Sequence, residues 1–120
     1  SWKLIEHPHD ICIAIEASRN NETFLIDSLG GLVEQHLNDN QEDWNSFQFK
    51  FVNCITKNDL GFIVVTEEIG WGIVPGTSIG HLYRERLTNL SALISRKSTQ
   101  KWLAINGTAI NLENIGYLIP

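Results

Sequence analysis

Apolar residues recur along this chain at two different periods, and the switches between them mark out its elements. Ile11, Ala14, Ile15 and Ser18 share one helical face, opened by Pro8, His9 and Asp10 and closed by Asn20 and Asn21, which predicts a helix to about 19. Residues 23–27 (TFLID) are continuously apolar up to the acid and read as a short buried strand. Gly30 and Gly31 then break the chain before a short helix through 37. From 42 to about 57, Trp44, Phe47, Phe51, Val52 and Ile55 give a wide helical face, with Glu42 and Asp43 at the positive end of the helix dipole.

A second apolar strand, 62–66, follows a turn at 58–61. Thr77 or Ser78 caps a long helix to about 96, striped by Ile79, Leu82, Tyr83, Leu87, Leu90, Leu93 and Ile94. Residues 102–105 and 109–112 form a strand and its return around Asn106-Gly107, the favoured type I′ pair. This order is that of an α/β chain with a parallel sheet. Strands apolar on both faces need helices on both sides and more neighbours than are present here. The expectation is a P-loop NTPase-like, doubly wound, mostly parallel sheet without its first strand and P-loop, within a single domain over 1–120.

Composition narrows the function classes. The net charge is −5, with nine basic residues against fourteen acids, which excludes nucleic acid as the main partner. The densest basic group, Arg84 and Arg86 with Arg96 and Lys97, suits a local phosphate contact. No apolar run approaches the length of a membrane span and no secretory leader opens the chain, so the expected location is the cytoplasm, with no membrane partner. Cys12 and Cys54 lie in apolar helical patterns and read as two buried thiols in a reducing compartment. The three Asn-x-Ser/Thr matches, at Asn21, Asn89 and Asn106, are then chance.

Candidate chemistry gathers where the apolar strands end. In open α/β sheets ligands bind beyond the carboxyl ends of the strands. Asp27 closes one strand, and Glu67 and Glu68 close the other, followed by Gly70, Trp71 and Gly72. An acid at such an end holds Mg²⁺ in nucleoside triphosphatases, and it also serves as a helix cap. Neighbouring residues on an extended chain point to opposite sides, so only one of the two glutamates faces a site.

The block 64–75 (VVTEEIGWGIVP) with 83–87 (YRERL) in the next helix resembles the bifunctional adenosylcobinamide kinase / adenosylcobinamide-phosphate guanylyltransferase family, whose pattern is V-T-N/E-E-V/I-G-x-G-I/V-V-P followed by F-R-D-x-L. Residues 25–29 (LIDSL) and Trp2, Glu6, Pro8 and Asp10 are similar to further family segments, and the end from Asn111 to Pro120 is similar to cyanobacterial members. The resemblance implies cobalamin biosynthesis: phosphorylation of the side-chain hydroxyl of adenosylcobinamide, then transfer of GMP from GTP through a guanylated histidine. It implies GTP or ATP with Mg²⁺, a corrinoid substrate and a homotrimer. By position it makes Asp27 the catalytic and metal-side acid, Glu68 the acid at the glycine loop, Gly70 and Gly72 the shapers of that loop, and Arg84 a phosphate contact.

The chain also departs from the family. It contains no Gly-Lys dipeptide, so the phosphate-cradling G-x-x-x-x-G-K-S loop is missing, and His7, His9, His36 and His81 do not match the guanylated histidine. Leu32, Gln35 and Thr88 stand where members carry Trp, Asn and Gly, which bears on corrinoid binding. The chain opens on Ser1 and contains no methionine, which favours the C-terminal part of a larger nucleotide-binding domain. The alternative is a P-loop-less binding or assembly module of the same fold, pairing through an exposed sheet edge.

Three patterns read better as structure than as chemistry. Gly76 to Gly80 spells G-x-S-x-G, but it opens a helix far from the strand end, so Thr77 or Ser78 is a cap. His7, His9 and Asp10 near Cys12 lack the distant second ligand pair of a zinc site and read as a helix start. Trp44 lies in a core stripe, and Trp71, in the loop, is the better placed of the two to stack on a ligand, although packing is the expected role of both.

Overall fold

The computed structural model describes residues 1–6, 10–19, 21–57, 59–72 and 75–120. Its elements run α1 (Ile11–Glu16), β1 (Thr23–Asp27), α2 (Leu29–Gln35), α3 (Gln41–Lys57), β2 (Gly61–Val65), a 3₁₀ turn (Ile69–Trp71), α4 (Ser78–Lys97), β3 (Trp102–Ile105), β4 (Thr108–Asn111) and α5 (Leu112–Ile115). Asp10 caps α1 by accepting from the Cys12 and Ile13 amides, and Thr77 caps α4 by accepting from the Gly80 amide at 3.1 Å. The G-x-S-x-G pattern is therefore a helix start. Asn21 adopts φ 80°, a left-handed conformation that Asn tolerates, and turns the chain into β1.

β1 and β2 pair in parallel, Phe24 opposite Phe62, Leu25 opposite Ile63 and Ile26 opposite Val64. Alternation then splits the apolar strands between two faces. Phe24 and Phe62 stack at 5.5 Å, and with Ile26 and Val64 they meet the core formed by Cys12, Ile15, Leu29, Leu32, Val33, Trp44, Phe51, Cys54, Ile55, Leu87, Leu90 and Ile94. The opposite face, with Leu25, Ile63 and Val65, is 40–53% exposed. The fold is mixed α/β, as expected, and among the described residues its parallel sheet has two strands and one covered face.

β3 and β4 make a separate antiparallel hairpin. Its turn residues Asn106 and Gly107 have φ 47° and 73°, as a type I′ turn requires. α5 extends this unit: the Asn111 side chain accepts from the Glu113 amide, and Lys101 pairs with Glu113 at 2.8 Å. Neither α5 nor the 3₁₀ turn is signalled by periodicity, since each is only a turn long.

Arg86 is 4% exposed. It donates to the carbonyls of His36 at 2.7 Å and Asp39 at 2.9 Å, and its guanidinium lies 5.1 Å from the Trp44 ring centre. It thus ties the carbonyl end of α2 to α4 and α3. The expected phosphate contact from Arg86 is corrected by this burial.

Candidate functional site at the strand ends

Three elements converge at the carboxyl end of the parallel sheet. Asp27, the last residue of β1, is exposed, and none of the described residues engages its carboxylate. Glu67, just past β2, reaches back across the sheet end. Its Oε1 accepts from the Ser28 hydroxyl and its Oε2 from the Gly30 amide at 3.3 Å. Tyr83 approaches from α4. A Cβ at Gly30 would stand 2.6 Å from the Tyr83 hydroxyl and 2.7 Å from Glu67 Oε2, so glycine leaves room for both. Burial, with the Glu67 and Glu34 carboxylates nearby, holds the Tyr83 phenol above its ordinary pKa.

Glu68 faces the other way, as alternation requires. It is the N-cap of the 3₁₀ turn, its Oε1 accepting from the Gly70 amide at 3.2 Å. Arg84 Nη2 donates to the Gly70 carbonyl at 3.4 Å. Gly70 and Gly72 are exposed with Trp71, which is 72% exposed. Ile73 and Val74, inside the family-like block, lie outside the described residues.

The structure therefore places the sequence-derived residues in two neighbouring groups. Asp27 belongs with Ser28, Gly30, Glu67 and Tyr83, while Glu68, Gly70 and Arg84 form the adjoining turn. Sequence reasoning missed Ser28 and Tyr83 and set Glu67 aside. Its alternation argument allowed one glutamate to face β1, but which one depends on the path of the chain after Val65. A shallow depression on α4, lined by His81, Arg84, Glu85, Thr88 and Asn89, is formed by one helix and encloses little; the strand ends are the better site.

Among the described residues, no three His, Cys, Asp or Glu side chains gather as metal ligands. His7 and His9, weighed above as metal ligands, lie outside the described residues. His36 meets Asp39 at 2.7 Å and stacks on Phe47. Among the described residues, no helix is long and apolar enough to cross a membrane.

These features define an α/β protein with acids gathered at the carboxyl ends of parallel strands. The model of the cobinamide kinase / cobinamide phosphate guanyltransferase family matches residues 1–112, and the chain belongs to that family. The family serves cobalamin biosynthesis, acting on a cobinamide substrate with GTP or ATP. No curated protein matches the chain.

Proposed function

We propose that this chain forms the acidic, strand-end side of a cobinamide kinase and cobinamide-phosphate guanyltransferase. The phosphate-cradling P-loop and the guanylated histidine come from residues outside these 120, and the complete fold is a doubly wound P-loop sheet. The observation that carries this reading is the family match over 1–112. The bare face of the β1–β2 sheet is consistent with a further nucleotide-binding unit beside it.

In this reading Asp27 holds Mg²⁺. Its exposed carboxylate at a strand end, unengaged among the described residues, fits an ion that takes one or two protein carboxylates beside phosphate and water. When bound, the ion neutralises phosphate charge during transfer. Glu67 fixes the turn after Asp27 through Ser28 and Gly30. Arg84 offers charge to a phosphate, and Glu68 keeps the Gly70–Gly72 loop in shape.

The test is incubation of the protein expressed from its native gene with labelled GTP, Mg²⁺ and adenosylcobinamide. The expected result is acid-labile GMP on the protein and phosphorylated corrinoid, with Asp27→Asn lowering corrinoid phosphorylation roughly 100-fold or more. Absence of both products from the native-gene protein would replace this reading with the non-catalytic binding or assembly module.

A further inference from the structure

Ser28 is the N-cap residue of α2, with extended backbone angles of φ −134° and ψ 172°, yet its side chain makes no cap hydrogen bond. A serine at this position ordinarily accepts from an amide of the first helical turn. Instead its hydroxyl donates to Glu67 Oε1, and the amide of Gly30, within the first turn, donates to Glu67 Oε2 at 3.3 Å. A carboxylate 37 positions away thus takes the part of the local cap. We propose that Glu67 is a positioning residue for Asp27: by capping α2 from beyond the end of the neighbouring strand, it fixes the direction in which the Asp27 carboxylate meets a divalent cation. This rests on the reading of Asp27 as the Mg²⁺-side acid.

β2 and the residues just past it hold the chain on both sides of Asp27. Before it, β1 pairs with β2 as far as Asp27 opposite Val65. After it, Ser28 and Gly30 are tied to Glu67. The Asp27 carboxylate is exposed and engaged by none of the described residues, so its direction is inherited from this backbone. Without Glu67 the second tie is lost, and the carboxylate must be ordered as the ion binds, against conformational entropy. Partners that orient a ligating side chain are worth roughly 10–100-fold in metal affinity.

Gly30 makes the clamp possible. A Cβ there would stand 2.7 and 3.0 Å from the two Glu67 carboxylate oxygens and 2.6 Å from the Tyr83 hydroxyl. These atoms end flexible side chains, so alanine is accommodated by moving Glu67 from its seat. Glu67 is exposed, and its removal takes away an anchor without opening the core.

The test uses the protein expressed from its native gene, with a non-hydrolysable GTP analogue bound, and follows Mn²⁺ binding by water-proton relaxation. Asp27→Asn should weaken Mn²⁺ binding most. Glu67→Ala should weaken it about 10-fold or more, and Gly30→Ala, with Glu67 intact, should do the same. Glu67→Gln should stay within about threefold of the unsubstituted protein, because its amide oxygen accepts from Gly30 and its NH₂ donates to the Ser28 hydroxyl. In corrinoid phosphorylation, Glu67→Ala should raise the Mg²⁺ concentration for half-maximal rate, and saturating Mg²⁺ should restore the rate. Unchanged Mn²⁺ affinity in Glu67→Ala, beside a loss in Asp27→Asn, would overturn the positioning role alone. Glu67→Gln losing as much as Glu67→Ala would also overturn it, by making Glu67 a direct ligand. Unchanged affinity in Asp27→Asn would overturn the reading of Asp27 and this proposal with it.

Discussion

Arg84 and Arg86 are two residues apart on α4, and a helix turns them about 200° from one another. Arg84 is left near the glycine turn, whereas Arg86 enters the core and holds the carbonyls of His36 and Asp39. Removing a buried charge-assisted donor leaves its acceptors unsatisfied. Arg86→Ala should therefore cost about 3–5 kcal/mol in urea unfolding. Arg86→Lys should recover only part of this, since an ammonium cannot reproduce the fork that spans both carbonyls. Arg84→Ala should change stability by less than about 0.5 kcal/mol.

Asp10 gives a pH-dependent contribution at the same scale. Its hydrogen bond from Lys50 holds its carboxyl below the ordinary value of 3.8, helped by the Ile13 and Cys12 amides and opposed by partial burial. A depressed carboxylate stabilises the fold fully above its unfolded pKa and loses that contribution as pH falls through the folded one. Asp10→Asn keeps a good cap and removes the charge. It should cost a few tenths of a kcal/mol at pH 7, after discounting for solvent screening of a part-exposed pair. Unfolding curves of the two proteins should converge at pH values well below 3.8. Persistence of the full difference in that range would remove the ion pair as its cause.

At the scale of elements, the two strands show what an apolar run does not reveal. Within 23–27 and 62–65 the apolar residues run consecutively and so fall on both sides, and the pattern contains no marker for which side is covered. In the folded chain the helices lie against Phe24, Ile26, Phe62 and Val64, leaving Leu25, Ile63 and Val65 to the open face. Ile26→Ala should therefore cost about 2–4 kcal/mol, and Ile63→Ala, in the neighbouring strand, less than about 1 kcal/mol. Equal losses in denaturant titrations would mean that the second face is covered in solution. The long helices α3 and α4 were legible nearly to their ends because each repeats its stripe over many turns. α1 is shorter than its pattern suggested, since six residues carry little helical preference without packing.

For the whole molecule, the sequence by itself determined the order of helices and strands, the capped helix starts, the Asn106-Gly107 turn and the family. These depend on neighbours within a few residues, or on a pattern read in one register, and need no knowledge of which elements meet. Tertiary structure alone decided that Glu67 rather than Glu68 reaches the loop after β1, through partners 37 and 39 positions away. It also decided that Arg86 is a core anchor and that the parallel sheet has one covered face. Each of these is a contact between distant segments. Its energy depends on burial and on the desolvation of charge, which are properties of the assembled fold and of no single stretch of chain.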